Sequence, residues 1–186
     1  SLQLYAPKPE ITFNVTPTET GANAYVDVRV IIENKRNITI YNPTVTITVP
    51  FDFQIVAGSK TWQADKIEPF ERVEIPLRLK APSKEGEYYI GDVKVTWKDR
   101  NGNTYERTLL RQQVKVLPPK MEVSLQKEGS LLIIYARDFY TKEPIRTATV
   151  KVISSTSNFT RTLYTDEEGK AVYEISRDDR KLQIVV

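Results

Sequence analysis

Residues 24–33, Ala24-Tyr25-Val26-Asp27-Val28-Arg29-Val30-Ile31-Ile32-Glu33, put Val26, Val28, Val30 and Ile32 on one side of an extended chain and Asp27, Arg29 and Glu33 on the other. A β-strand turns successive side chains to opposite faces, so this alternation predicts a half-buried antiparallel strand. The same pattern recurs in Thr44-Val45-Thr46-Ile47-Thr48-Val49, with the threonines outward, and in Val73-Glu74-Ile75-Pro76-Leu77-Arg78-Leu79-Lys80. Pro76 has no N–H to give to a ladder, which predicts an edge strand or a bulged one there. Val93, Val95 and Trp97 continue the alternation until Asp99-Arg100-Asn101-Gly102-Asn103 interrupts it, and Asn-Gly between alternating runs predicts a hairpin. Trp97, in phase with the two valines, belongs to the core. No segment carries an amphipathic helical repeat, and short strands bounded by turns predict an all-β chain of antiparallel β-sandwiches.

Val116-Leu117-Pro118-Pro119-Lys120 breaks this texture. Adjacent prolines stiffen the chain into an extended connection, so residues 118–120 read as a linker between one domain at 1–117 and a smaller one at 121–186. Six strands are expected in the smaller domain, near 121–126, 130–137, 147–154, 159–164, 170–175 and 181–186. Immunoglobulin-like (Ig-like) sandwiches commonly have about seven. An open apolar edge is a liability unless another strand covers it. The stretch before the first strand, with Leu2, Leu4 and Ala6 on one face and then Glu10-Ile11-Thr12-Phe13-Asn14-Val15, admits two readings. It adds to a neighbour's sheet by β-augmentation, or it forms the first strand of its own sandwich.

Composition removes most chemistry. The 186 residues include no cysteine and no histidine, which excludes the usual zinc sites, Cys-His and Ser-His-Asp catalysis, and any histidine base. The net charge of +3 comes from 27 basic and 24 acidic side chains spread along the chain, so no footprint for nucleic acid stands out. No run approaches the roughly 18 apolar residues of a membrane span. A start at Ser1 fits a processed protein or a fragment equally.

Four groups remain as candidate sites. Asp99 to Asn103 has the alternating oxygens of a calcium loop, but its glycine comes at the fourth position and Leu110 stands where the bidentate Glu belongs, so a plain hairpin is preferred. Asp166, Glu167 and Glu168 precede Gly169 between two strands, and Asp178 and Asp179 lie near them in sequence. These five carboxylates are the weak candidates for a cation, against a turn in which Asp caps its own backbone and Gly supplies positive φ. Trp62, in the irregular Gly58 to Pro69 segment, is the one aromatic considered for stacking on a ligand. Asn14, Asn37 and Asn158 each open an Asn-X-Thr sequon, which fits glycosylation of an exported protein or coincidence in a threonine-rich chain.

Asp138-Phe139-Tyr140-Thr141-Lys142-Glu143-Pro144-Ile145-Arg146-Thr147-Ala148-Thr149-Val150, then Thr165-Asp166-Glu167-Glu168-Gly169-Lys170-Ala171-Val172-Tyr173, resembles the transthyretin-related, Ig-like modules called carboxypeptidase-regulatory-like domains. The matching positions are Asp138, Thr141, Pro144, Ile145, Ala148, Val150, Thr165, Asp166, Gly169, Ala171 and Tyr173. Lys142 and Thr147 stand where that pattern has glycines, which predicts a first turn built differently. Those modules are non-catalytic, so the resemblance implies that the acidic run is a hairpin corner. Residues 31–50, 67–82 and 85–106 are similar to Ig-like repeats of prokaryotic, especially archaeal, cell-surface proteins.

The expected protein is therefore two tandem Ig-like sandwiches with no cofactor and no enzymatic activity. It is a structural or adhesive element at the cell surface that associates with itself or with other surface proteins and carries N-linked glycans if exported. The competing expectation is a carbohydrate- or protein-binding accessory module of a larger secreted protein.

Overall fold

The computed structural model describes residues 6–156, 158–177 and 179–186. The chain divides into two units, Ser1–Pro118 and Pro119–Val186, and all regular structure among the described residues is β.

In the first unit β1 (Glu10–Thr16), β3 (Tyr25–Glu33), β8 (Arg72–Lys80) and β5 (Gln54–Gly58) form one sheet, in the order β1-β3-β8-β5. The period-two pattern decides its orientation. Val26, Val28, Val30 and Ile32 of β3 are buried, while Asp27 and Arg29 face out toward Arg78 and Glu74 of β8. Each fully buried Val or Ile contributes about 1.5–3 kcal/mol relative to exposure. The facing layer starts with β4 (Ile40–Ile47), which pairs with β10 (Val93–Lys98), β6 (Thr61–Gln63) and β7 (Lys66–Ile67). β11 (Thr104–Leu109) pairs with β10, and β12 (Gln112–Leu117) pairs with β9 (Gly86–Ile90), so β9–β10 and β11–β12 are the two arms of one long hairpin.

That hairpin is interrupted once. Gly91, at φ +109°, sits so close to the opposite arm that an added Cβ would meet the Arg111 Cα at 2.8 Å. The Asp92 carboxylate accepts the Arg111 N–H at 2.8 Å, and Gly91 and Asp92 exchange backbone hydrogen bonds with Thr48.

Both sides of this sandwich are bridged by chain that changes sheets. β1 leads after two residues into β2 (Glu19–Gly21), which pairs in parallel with β12. On the other side β5 is followed at once by β6 and β7. The buried Asn34 locks one end: its side-chain amide donates to the Ile38 and Glu68 carbonyls, at 2.7 and 3.0 Å.

One expectation is corrected here, and one open choice is decided. β8 is an interior strand, and Pro76 is accommodated because β5 makes its last pair with Leu77, so no β5 residue there needs the missing N–H. Of the two readings of the N-terminal stretch, Glu10–Thr16 takes the second: it is the first strand of its own sandwich, with Ile11, Phe13 and Val15 buried.

The second unit has two three-stranded sheets. One is β13 (Met121–Glu128), β14 (Leu131–Asp138) and β17 (Lys170–Glu174); the other is β16 (Phe159–Tyr164), β15 (Thr149–Ser154) and β18 (Leu182–Val185). Ile134, Val150, Val152, Ala171 and Tyr173 form the core between them. The molecule is thus all-β, two Ig-like antiparallel sandwiches in tandem.

Candidate functional site

The residues that carried chemical promise in the sequence are mostly engaged in holding turns. Asp99 closes the β10–β11 hairpin. Its Oδ1 accepts the N–H groups of Asn101 and Asn103, and its Oδ2 accepts from the Asn103 amide and the Tyr105 hydroxyl, all at 2.8–2.9 Å. The Asn103 side-chain bond, with the others behind it, holds the Asp99 carboxyl below the usual range, and the bond to Asp99 raises the Tyr105 hydroxyl.

The acidic corner is built the same way. Asp166 Oδ1 accepts the N–H groups of Glu168 and Lys170, both at 2.9 Å, and Gly169 takes φ +71° with its N–H on the Asp166 carbonyl. Beside it the buried Thr165 hydroxyl accepts the Ala148 N–H and donates to the Ile145 carbonyl. Asp179 accepts from the Ser176 N–H and the Tyr173 hydroxyl, which hold its carboxyl low, while burial and that bond raise Tyr173. Asp178 lies outside the described residues. Glu167 is exposed and 3.9 Å from Arg146. Among the described residues no three carboxylates gather where a metal ion would sit, so Asp166, Glu167, Glu168 and Asp179 are not brought together.

Lys142 and Thr147 correct the expectation of a different first turn. Both adopt positive φ, +63° and +57°, the conformation that glycine would have there. Trp62 is in strand β6, paired with Val45, and half-buried against the first core, so its segment is less irregular than expected. Trp97 is in that core, its indole N–H on the Pro7 carbonyl at 3.3 Å and its ring stacked on Tyr105. Asn14, Asn37 and Asn158 are all exposed. Leu2 and Leu4 lie outside the described residues, and the Ala6 carbonyl accepts from Arg36 at 3.0 Å.

Two features were not anticipated residue by residue. A cleft of about 500 Å³ at one end of the first unit is lined by Asn37, Tyr41, Arg100, Asn101 and Tyr105, among others. Its parts are far apart in sequence and give no local signal. The other feature is β13. Met121, Val123 and Leu125 lie directly opposite Asp138, Ala136 and Ile134 of β14, so they share the face that Ile134 turns to the core. They are nevertheless 41%, 41% and 54% exposed. The sequence predicts a strand there, and nothing local in it shows that this face is exposed.

No family model matches the sequence, and no curated protein matches it. Among solved structures the chain is similar to two crystal structures of BcpA, the major pilin subunit of Bacillus cereus. One gives 10% identity and a TM-score of 0.47, the other 11% and 0.43. In each case 90% of this chain is covered, and the chain spans 56% of the length of the pilin. The Ig-like assignment rests on the chain's own strand order.

Proposed function

We propose that the chain is a non-enzymatic extracellular protein, a structural or adhesive subunit or segment of an archaeal surface layer or filament, whose copies assemble by strand donation. The observation that carries this reading is the apolar β13 face of the second sandwich, which is exposed beside a small buried core. A long apolar edge persists when another strand covers it. Three further facts support it. The sequence has no histidine or cysteine, the carboxylates with lowered pKa are engaged in turns, and the three sequon asparagines are exposed. The mechanism is mechanical: backbone ladders carry load along each sandwich, and adjacent prolines stiffen the connection between them.

Negative-stain microscopy of material from the native source tests the proposal, the expected result being filaments or a lattice. Uniformly single, dispersed particles together with an intracellular location would overturn it. A second reading, a carbohydrate-binding accessory module, is favoured by the cleft with Tyr41 and Tyr105 at one end of the first unit. Because Trp97 stacks on Tyr105, glycan titration followed by tryptophan fluorescence separates the two: only the binding module should respond.

A further inference from the structure

The sequon Asn37-Ile38-Thr39 occupies the bend between β3 and β4, and that bend is one wall of the cleft at the end of the first unit. All three of its residues line the cleft. The other two sequons have no such setting on the page. Asn14 projects from the outer face of β1 between exposed Thr12 and Thr16, and Asn158 is exposed in the turn before β16.

Both walls of the cleft are held from behind. On one side the buried Asn34 donates to the Ile38 carbonyl at 2.7 Å and accepts the Arg36 N–H at 3.3 Å, which pins the bend and leaves Asn37 exposed. On the other, Asp99 holds its turn through Asn101, Asn103 and Tyr105, and the Tyr105 ring is stacked on Trp97 with centroids 6.1 Å apart. Tyr41 of β4 and Tyr105 of β11 are half-buried and both line the cleft. The side chains of Asn37, Thr39, Arg100 and Asn101 make no hydrogen bond or ion pair among the described residues. The cleft therefore combines two aromatic rings, uncommitted polar groups around them, and an acceptor amide on its own wall.

A pyranose ring has the matching chemistry, with a face of C–H groups that packs on an aromatic ring and hydroxyls that bond to polar groups at the rim. We infer that the cleft is the seat of a sugar carried on Asn37 itself, the innermost unit of an N-linked glycan folded back against Tyr41 and Tyr105, with Arg100 and Asn101 as partners of its hydroxyls. The inference rests on the expected glycosylation of the sequons and says where one of the glycans goes. Attachment joins Asn37 Nδ2 to C1 of a sugar carried as a phosphate ester on a lipid or nucleotide. The C1–O bond breaks, its electron pair leaves with the phosphate, and Nδ2 gives up one proton. Tethering is what fills the seat. A single sugar held by stacking and a few hydrogen bonds dissociates in the millimolar range, so a free one leaves the cleft mostly empty. One attached at the wall has an effective concentration of that order or higher. A cleft filled in this way is closed to added sugars.

The chain has no cysteine, so one introduced thiol takes a sugar at a chosen place. Asn37→Cys and Asn14→Cys, each in the full chain, are alkylated with N-acetylglucosamine bearing an iodoacetamide at C1, the thiolate displacing iodide. In proton spectra the sugar at position 37 is expected to show ring protons moved upfield by the tyrosine ring currents and nuclear Overhauser contacts to Tyr41. The sugar at position 14 should show neither, and Tyr41→Leu should remove both from position 37. The Overhauser contacts are read with Tyr41 in place, so they decide even if Tyr41→Leu does not fold. Sugar protons at position 37 that match those at position 14, or an upfield displacement that Tyr41→Leu leaves unchanged, would overturn the seat and leave glycosylation standing. In native material, mass spectrometry that finds Asn37 bare while Asn14 or Asn158 carries sugar would overturn the assignment to Asn37 alone. All three bare would overturn it together with the glycosylation on which it rests.

Discussion

Gly169 and Gly129 share a positive φ, +71° and +60°, but not a setting. A Cβ on Gly169 would fall on the Ala136 carbonyl oxygen, whereas one on Gly129 meets nothing within 4 Å. Gly129→Ala is expected to cost about 1 kcal/mol, the left-handed penalty alone. Gly169→Ala should cost about 2–3 kcal/mol, because the clash is with backbone and the hydrogen bond from Ala136 N–H to the Gly169 carbonyl must shift as well. Urea denaturation of the two variants checks the difference, and equal costs would contradict the account of the corner. Thr147 is the reverse case, a β-branched residue at φ +57° whose hydroxyl, among the described residues, bonds the adjacent Arg146 carbonyl. Relief of that conformation outweighs the added chain entropy of glycine, so Thr147→Gly is expected to stabilise the protein by about 0.5 kcal/mol, read as a raised Tm.

The turns between elements set the pH dependence. Asp99 and Asp179 have carboxyls held low by hydrogen bonds made only in the folded chain. Their contribution is complete above the unfolded carboxylate pKa of about 3.9 and is lost as pH falls through the lower folded values. Tyr105 and Tyr173 are raised, so theirs is complete below about 10 and is lost as pH climbs through the folded values. Stability is therefore expected to be flat from about pH 5 to 9 and to fall on both sides. Asp99→Asn should shrink the acid-side fall; an unchanged acid limb would remove Asp99 from the explanation. The elements themselves differ in how legible they were. β3 was readable because one of its faces is buried and the other wet, and the Asp166–Gly169 corner because Asp and Gly have separate mechanical roles there. β5 was not, since all five of its residues are exposed and no alternation arises. The passage of the chain from β1 to β2 was equally hidden, because parallel pairing with β12 joins residues about a hundred positions apart.

At the scale of the molecule, the two sandwiches are expected to need no metal. Melting with and without a chelator should give the same Tm, and a large fall would revive a cation site at the acidic end of the second unit. Mass spectrometry of native material should find hexose-containing adducts on at least one of Asn14, Asn37 and Asn158, and finding all three bare would count against export through a glycosylating pathway. The central claim is the proposed assembly of copies by strand donation, and amide hydrogen exchange against protein concentration tests it most directly. In dilute solution the amides of Leu182–Val185 that face away from β15 should exchange rapidly, and they should become protected as copies associate, while β3 and β8 of the first unit stay unchanged. Exchange along β18 that does not change with concentration, or protection that grows only in the first unit, would contradict the account.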